Sequence, residues 1–333
     1  MMRGLPLEND MRLPRRRFLR LAAGALALPA VSRLARAETY PSRAVHLQVG
    51  YSAGSASDVI ARLMAQWLSE HLGQPFITEN RPGAATNLAA ENVVNATADG
   101  YTLLLATSTN AVNATLYQNL KFDFSTDLVP SALIDLVPYV LEITPSLPAK
   151  TLPEFIAYAK ANPGKINMAS NGVGSGPHVA GELFKMMAGV DLVHVPYTGN
   201  PYADLIAGQV QSMFSPIPAS ISYVRSGQLR ALAVGSTKRI DVLPDVPTVA
   251  EFVPGYDASG WHGIGAPKNT PPDVIAAVNK TVNAGLADAA FKQKLSDLGG
   301  IAAPMTPQEF GKFIADETDK WAKVNKFANI TAE

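Results

Sequence analysis

Residues 44–72 read AVHLQVGYSAGSASDVIARLMAQWLSEHL, and this stretch decides the class of fold. Residues 44–49 are predicted to form a strand and residues 58–72 a helix, because apolar residues recur in the second segment with the helical period. The loop between them, residues 51–57, consists mostly of small and hydroxyl-bearing residues. Ser55 and Asp58 have the spacing of a capping box, which favours a helix start at this point. We interpret the stretch as one strand–loop–helix unit of an α/β protein.

The same unit recurs along most of the chain. Further strands are predicted at 76–79, 102–106, 139–143, 166–169, 192–195, 211–214, 229–234 and 261–266. Helices are predicted between them at 86–95, 152–161, 178–188, 202–207 and 221–225, and after them at 272–287, 288–298 and 307–327. Strands that alternate with helices indicate mainly parallel sheets flanked by helices. So many strands are unusual for one open sheet, so we expect two α/β domains with a ligand in the crevice at the carboxyl ends of the strands.

Composition excludes several classes of function. The 333 residues are 47% hydrophobic and 17% charged, as in a globular protein. Residues 1–37 contain eight of the 28 basic residues and two acidic ones, which leaves the rest of the chain mildly acidic and argues against nucleic-acid binding. The chain has no cysteine, which excludes disulfides, thiolate metal sites and cysteine nucleophiles. The histidines and carboxylates do not have metal-ligand spacing, so no metal and no cofactor are expected.

Residues 1–37 are predicted to be an export signal. They contain eight arginines, among them the adjacent Arg15 and Arg16, followed by an apolar run at 21–31 and the small-residue sequence that ends at Ala37. The arginine pair is typical of the twin-arginine export route. The apolar run is too short to span a bilayer, for which about 20 residues are needed. We therefore expect cleavage after Ala37 and a mature protein in the periplasm.

Two loops of small residues could carry chemistry. Residues 50–54 match the G-x-S-x-G nucleophile elbow with Ser52 as nucleophile, so a serine hydrolase is one alternative. However, no earlier strand is available to build an oxyanion hole, and capture of an anion at the start of the helix explains the loop better. Residues 171–178 form a second glycine-rich loop before a helix. Because Pro177 replaces a required glycine and no lysine follows, this loop does not match a dinucleotide or P-loop motif.

Several strings along the chain carry a family resemblance. They are QPF at 74–76, ENRPGA at 79–84, DGYTLL at 99–104, HVPYTG at 194–199, GQV at 208–210, LRALAV at 229–234 and LPDVPT at 243–248. In this order and spacing, they resemble the solute receptors of tripartite tricarboxylate transporters, the Bug-type periplasmic binding proteins. The resemblance extends from about residue 40 to residue 321.

The resemblance implies a type II periplasmic binding protein, or Venus flytrap, with two domains. Domain 1 would comprise residues 38–138 and 259–333, and domain 2 residues 139–258. Such a protein is not an enzyme and needs no cofactor. It would be a monomer that binds a small organic carboxylate, aromatic or aliphatic, and delivers it to the membrane subunits of a transporter. A ligand-sensing subunit of a signalling system is the other alternative.

The resemblance also implies which residues bind the ligand. From domain 1 these are Tyr51, Ser52, Ala53, Ser57, Asp58, Ala84, Ala85, Asn87 and Thr107. From domain 2 they are Ser170, Asn171, Gly172, Ser175, His178, Tyr197 and Ser215. An aromatic wall of the cleft is one interpretation of Trp261 and its neighbour His262, and packing at the hinge is the other interpretation of Trp261. Ser215 stands where many members have an acidic residue, which argues against a ligand with an ammonium group.

Overall fold

The computed structural model describes residues 40–117 and 119–331. The first predicted elements form close to their predicted positions: β1 (Val45–Val49), α1 (Ala56–Leu72), β2 (Phe76–Asn80), α2 (Asn87–Val94) and β3 (Thr102–Thr107). Two helices that the sequence analysis did not predict follow them, α3 (Ser108–Leu116) and α4 (Phe124–Asp127). The Ser55 side chain accepts a hydrogen bond from Asp58 N and caps α1, which ends at the left-handed Gly73. Strand β1 pairs in parallel with β2 and β3.

One long strand, β4 (Leu128–Ile143), follows this first half. Its residues 128–138 pair with β9 (Ser259–Pro267), and its residues 139–143 pair with β7 (Ser212–Pro216) and β8 (Arg230–Val234). The sequence predicted a strand only at 139–143, because prolines interrupt the apolar pattern before it. Pro130 is accommodated at a shift in the register between β4 and β9, where a missing N–H breaks no regular ladder.

The second half repeats the parallel arrangement. It contains α5 (Leu152–Ala161), β5 (Asn167–Ser170), α6 (Gly176–Ala188), β6 (Val193–Pro196), α7 (Tyr202–Ala207) and α8 (Ile217–Arg225). Strand β5 pairs in parallel with β6 and β7. The chain then returns through β9 to α9 (Pro272–Ala287), α10 (Ala289–Asp297), β10 (Ile301–Ala302) and α11 (Pro307–Phe327). Short 3₁₀-helices lie at Ala84–Thr86 and Val249–Glu251.

The strands form one mixed sheet in the order β2-β1-β3-β9-β4-β7-β5-β6, with β8 and β10 also on β4. Each end of this order is a group of three parallel strands, and the antiparallel strands β9 and β4 join the two groups. Strand β4 pairs with β9 up to Pro138 and with β7 from Tyr139 onward. The domain boundaries that we predicted from the resemblance remain a prediction.

The apolar faces pack in more than one cluster. One cluster surrounds β1 and includes Leu47, Met64 on α1 and Val282 on α9, all without exposed surface. Another contains Phe155, Phe184 and Phe214 of the second half. Within residues 40–117 and 119–331, no helix is long and apolar enough to cross a membrane. The predicted export signal lies outside the described residues.

Candidate ligand-binding site

A cleft of about 530 Å³ lies where three helices begin. Its wall includes the first residues of α1, α3 and α6: Ala56 and Ser57, Ser108 and Thr109, and Gly176 and Pro177. The first turn of a helix has free backbone N–H groups and the positive end of the helix dipole, so each start favours a negative charge. Among the described residues that line the cleft there is no lysine, arginine, aspartate or glutamate. The cleft is therefore suited to an anion that is held by neutral donors.

A second depression, of about 730 Å³, lies beside β1 and β2. Glu79 and Glu91 line it together with Arg81. The Glu79 carboxylate accepts hydrogen bonds from Gln48 and contacts His46, so its oxygens already have partners. Because its charges are mixed and it lies away from the helix starts, this depression is a weaker candidate for an anion site.

Tyr51 joins the first loop to the start of α3. Its phenol oxygen lies 2.8 Å from Thr109 Oγ1 and 3.4 Å from Thr107 Oγ1. Thr107 is in turn fixed by Asn110, whose Oδ1 accepts a hydrogen bond from the Thr107 backbone N–H at 2.9 Å. Two hydroxyl groups and a phenol therefore lie at the cleft on neighbouring elements. Thr107 Oγ1 donates to Asn110 Oδ1 at 3.3 Å, so one proton of the Tyr51–Thr109 pair is left for an anion.

The loop before α2 has an unusual backbone. Ala84, Ala85 and Thr86 all have positive φ values, of 46°, 49° and 76°. Residues with a Cβ rarely adopt this conformation, which costs on the order of 1–2 kcal/mol per residue. The side chains of Asn110 and Asn113 hold the loop, since they donate to Thr86 Oγ1 and to the Ala85 carbonyl oxygen. Such strain is typical of functional loops, and it brings Ala85 and Thr86 into the wall of the cleft.

The opposite wall is the glycine-rich loop before α6. Ser175 Oγ donates to the Gly172 carbonyl oxygen at 2.7 Å, which closes the loop on itself. Ser170 and His178 lie behind it. Ser170 Oγ is 2.6 Å from His194 Nε2, and His178 Nδ1 accepts a hydrogen bond from the Gly174 backbone N–H. Both residues are buried and shape the loop from the side away from the cleft.

Seven residues of the predicted set line the cleft together: Tyr51, Ser57, Ala85, Thr107, Asn171, Ser175 and Trp261. Trp261 is 1% exposed, and its indole Nε1 has no partner among the described residues. The ligand contacts of all seven remain a prediction.

The other predicted residues lie outside the lining of this cleft. Ser52, Ala53 and Ala84 are exposed on their loops, Asn87 is buried at the start of α2, and Ser170, Gly172 and His178 support the second loop. The carboxylate of Asp58 accepts hydrogen bonds from the Gly54 backbone N–H and from the side chains of Arg62 and Asn80. Tyr197 donates to Asp204 at 2.8 Å, and Ser215 is fully buried in the second half.

Sequence reasoning missed several residues of the cleft. Thr86, Ser108, Thr109, Asn113, Tyr139 and Gly260 line it. His262, which the sequence analysis named beside Trp261, lines the cleft as well. Ser108 and Thr109 had a signal in the sequence, since they directly follow a predicted strand. Tyr139 and Gly260 had none, because the position of Tyr139 depends on the pairing of β4 with β7 and that of Gly260 on the pairing of β4 with β9.

Comparison with known proteins identifies the family. The profile of the tripartite tricarboxylate transporter family receptor, TctC, matches residues 60–330. The chain belongs to this receptor family. It is 36% identical over 313 residues to protein BugT of Bordetella pertussis, which covers 92% of this chain and 96% of the relative.

Solved structures of relatives agree with the fold. R. palustris Rpa4515, solved with adipate, is 37% identical, with a TM-score of 0.74 over 88% of this chain and 99% of the relative. MatC from Rhodopseudomonas palustris, solved with bound malate, is 30% identical, with a TM-score of 0.71 over 86% and 99% of the two chains. The predicted family and the two-domain α/β periplasmic binding protein fold are confirmed.

The receptor class is confirmed as well. The relatives of this TctC-family chain are substrate-binding receptors and not enzymes. The serine hydrolase alternative is therefore wrong. The structure shows why the G-x-S-x-G match misled: Ser52 is exposed on its loop, and none of the hydrogen bonds among the described residues joins it to a histidine.

Proposed function

We propose that this TctC-family protein is a periplasmic receptor that captures a small organic carboxylate in the cleft and delivers it to a tripartite tricarboxylate-type membrane transporter. The observation that carries the proposal is the convergence of the N-termini of α1, α3 and α6 on one cleft. Three positive dipole ends and a set of free N–H groups stabilise a carboxylate there without an ion pair. The adipate and malate bound by the two relatives are carboxylates, in agreement with this chemistry.

The ligand is held by backbone N–H groups, hydroxyl groups and bridging water. Tyr51 and Ser57 donate from one wall, and the side-chain amide of Asn171 donates from the other. The hydroxyls of Thr107 and Ser175 already donate to Asn110 Oδ1 and to the Gly172 carbonyl oxygen, so they contact the ligand through bridging water. An amino acid is disfavoured, because its ammonium group would find no carboxylate among the described residues that line the cleft. An ammonium group without a counter-charge would lose its hydration without compensation.

Binding closes the two domains on the ligand. The chain passes between the two halves of the sheet in β4 and again just before β9, so these connections are the hinges of a closing receptor. The closed form is the state that the transporter recognises. Small-angle scattering should show a smaller radius of gyration with a saturating ligand, and an unchanged profile would contradict closure.

Export places the receptor in the periplasm. Residues 1–37 direct the chain to the twin-arginine route and are removed after Ala37. N-terminal sequencing of the protein from a periplasmic fraction should begin at Glu38. A mature protein that retains Arg15 and Arg16 would contradict this assignment.

Thermal shift of protein from the periplasmic fraction tests the ligand class. The panel contains adipate, malate, aspartate and glucose. A ligand at 100 times its Kd adds about 2.7 kcal/mol to the free energy of unfolding, which raises Tm by a few degrees. We expect the response with adipate or malate. A response only to aspartate or glucose would overturn the proposal.

A variant pair tests the position of the site. Tyr51→Phe removes the phenol oxygen that faces the cleft, and it should weaken binding of the responding carboxylate by about tenfold, the effect of one lost hydrogen bond of about 1.4 kcal/mol. Tyr223→Phe on α8 is the matched control, since Tyr223 packs beside Tyr202 away from the cleft. Equal affinities of the two variants would place the ligand elsewhere.

A further inference from the structure

Ser57, His262 and Asp135 form a chain of hydrogen bonds that ends in the cleft. Ser57 Oγ lies 2.9 Å from His262 Nε2, and His262 Nδ1 lies 2.8 Å from Asp135 Oδ1. Ser57 and His262 line the cleft, whereas Asp135 has no exposed surface. Nothing in the proposed binding mode uses His262 or Asp135.

The local structure of β4 aims Asp135 at His262. The register between β4 and β9 shifts between Leu133 and Asp135, a bulge that places Asp135 opposite His262. Asp135 Oδ1 accepts a hydrogen bond from the His262 backbone N–H at 3.1 Å as well as facing the ring. Gly300 leaves room for the carboxylate, because a Cβ at this position would lie within 2.4 Å of Asp135 Oδ2. The histidine is therefore held in one orientation by its main chain and its ring together.

The direction of these hydrogen bonds depends on the charge of His262. A carboxylate only accepts, so Nδ1 carries a proton in either state. When the ring is neutral, Nε2 accepts a hydrogen bond from the Ser57 hydroxyl. Ser57 then presents only the lone pairs of its oxygen to the cleft. When the ring is protonated, Nε2 donates to Ser57 Oγ, and the hydroxyl proton is free to point at an anion. A carboxylate at Ser57 is repelled in the first state and bound in the second.

We propose that binding of a carboxylate at Ser57 is coupled to the uptake of one proton by His262, with Asp135 as the positioning residue. This inference rests on the proposed function and deepens it, because it adds a proton to the binding equilibrium. The bound anion and Asp135 then flank one imidazolium. Linkage requires that the anion raises the affinity of His262 for its proton by the same factor by which the proton raises the affinity for the anion.

The charges around His262 leave Asp135 as its partner. Strand β3 and helix α3, which pack against β9, contribute no ionisable side chain within their described bounds. On α1, the Asp58 carboxylate is bound to Arg62. Other ionisable groups on elements that contact β9 are Glu91 on α2 beside Lys121, Glu182 with Lys185 and His178 on α6, and Tyr139 and Glu142 on β4. Helix α11 packs against β9 through Phe310, and its carboxylates Glu317 and Asp316 are paired with Lys320 and Lys312.

Isothermal titration calorimetry counts the proton directly. Adipate and malate are titrated into the intact protein in phosphate and in Tris buffer, from about pH 5 to about pH 8, the range in which histidine titrates. We expect a difference in observed enthalpy between the buffers that corresponds to the uptake of up to one proton. The Kd should rise by up to tenfold per pH unit toward the alkaline end.

His262→Gln separates the loss of proton uptake from a loss of the binding site itself. The glutamine amide donates to Ser57 at every pH, so binding should persist while proton uptake and the pH dependence of Kd disappear. His71→Gln on the exposed end of α1 is the matched control and should keep both. Carboxylate binding without proton uptake in the wild type, or uptake that survives in His262→Gln, would overturn this inference and leave the proposed function intact. If neither adipate nor malate binds at any pH, the proposed function fails and this inference fails with it.

Discussion

The imidazole rings of His178 and His194 stack with their centroids 3.6 Å apart and their planes 12° apart. Burial, the neighbouring ring and Lys185 lower the pKa of His178 to about 3, and burial and Lys185 lower the pKa of His194 to about 4. Both rings are therefore neutral at physiological pH. The stack supports the glycine-rich loop of the cleft through Ser170 and Gly174.

The His178–His194 pair should lower the free energy of unfolding at acidic pH. Unfolded histidine takes up a proton near pH 6.5, whereas the folded rings stay neutral down to about pH 4. The unfolded state thus binds more protons in this window, and the free energy of unfolding should fall as the pH decreases from about 6.5 to about 4. His194→Gln should reduce that loss by roughly 2 kcal/mol in urea titrations. His71→Gln is the control, and parallel pH profiles of wild type and His194→Gln would refute the assignment.

Glu142 on β4 should produce the opposite slope. It has no exposed surface, and neither carboxyl oxygen has a hydrogen-bond partner among the described residues. Burial raises the pKa of Glu142 to about 7, against the smaller opposing effect of the Ser220 and Ser215 hydroxyls nearby. The folded state holds a proton that the unfolded state releases near pH 4.5, so stability should fall as the pH rises from about 4.5 to about 7.

Glu142→Gln tests this slope. The neutral amide does not ionise, so the variant should gain on the order of 3 kcal/mol relative to wild type above pH 7, with little difference near pH 4.5. Urea titrations at both pH values measure the difference. Glu70→Gln on the exposed face of α1 is the matched control. A constant offset at both pH values would show that folding does not raise the pKa of Glu142.

Gly176 should not tolerate a side chain. A Cβ at this first residue of α6 would lie 1.9 Å from the Tyr139 phenol oxygen. Gly176→Ala should destabilise the protein by about 1–3 kcal/mol through overpacking. The double variant Gly176→Ala/Tyr139→Phe, which removes that oxygen, should recover part of the loss in thermal denaturation. Gly199→Ala has open space and serves as the control. Additive effects of the two substitutions would contradict a direct contact.

Asp58 should stabilise the first loop. Burial opposes its ionisation, but hydrogen bonds from Arg62, Gly54 and Asn80 together hold the pKa of Asp58 below its ordinary value. Its contribution is therefore present at neutral pH and lost as the pH falls below the ordinary range of aspartate. Asp58→Asn should lower Tm at pH 7 and have a smaller effect near pH 3. Asp316→Asn, which loses an exposed pair with Lys312, is the control. An equal Tm loss at both pH values would refute the charge assignment.

Local features of the chain were predicted well. The helix predicted at 58–72 is observed as Ala56–Leu72, with Ser55 as its cap, because periodicity and capping depend on residues a few positions apart. The loops at 51–57 and 171–178 were predicted to face each other across the ligand, and the structure places Tyr51, Ser57, Asn171 and Ser175 around one cleft. Small polar residues between a strand and a helix were enough to predict that these loops line one cleft, and anion binding by them remains a prediction.

The sequence by itself therefore determined most of the strand–loop–helix units and the family. Only the tertiary structure decided which distant residues contact these loops. His262 lies 205 positions from Ser57 and 127 from Asp135. The pairing of β4 with β9 brings Asp135 to His262, and the pairing of β9 with β3, which lies beside β1, brings His262 to the start of α1. Strand β4 contains Pro130 and Pro138, which interrupt its apolar pattern, so most of this strand could not be predicted from the sequence. Contacts between distant segments are selected by the packing of the whole sheet, and they leave no periodic signal in any one segment.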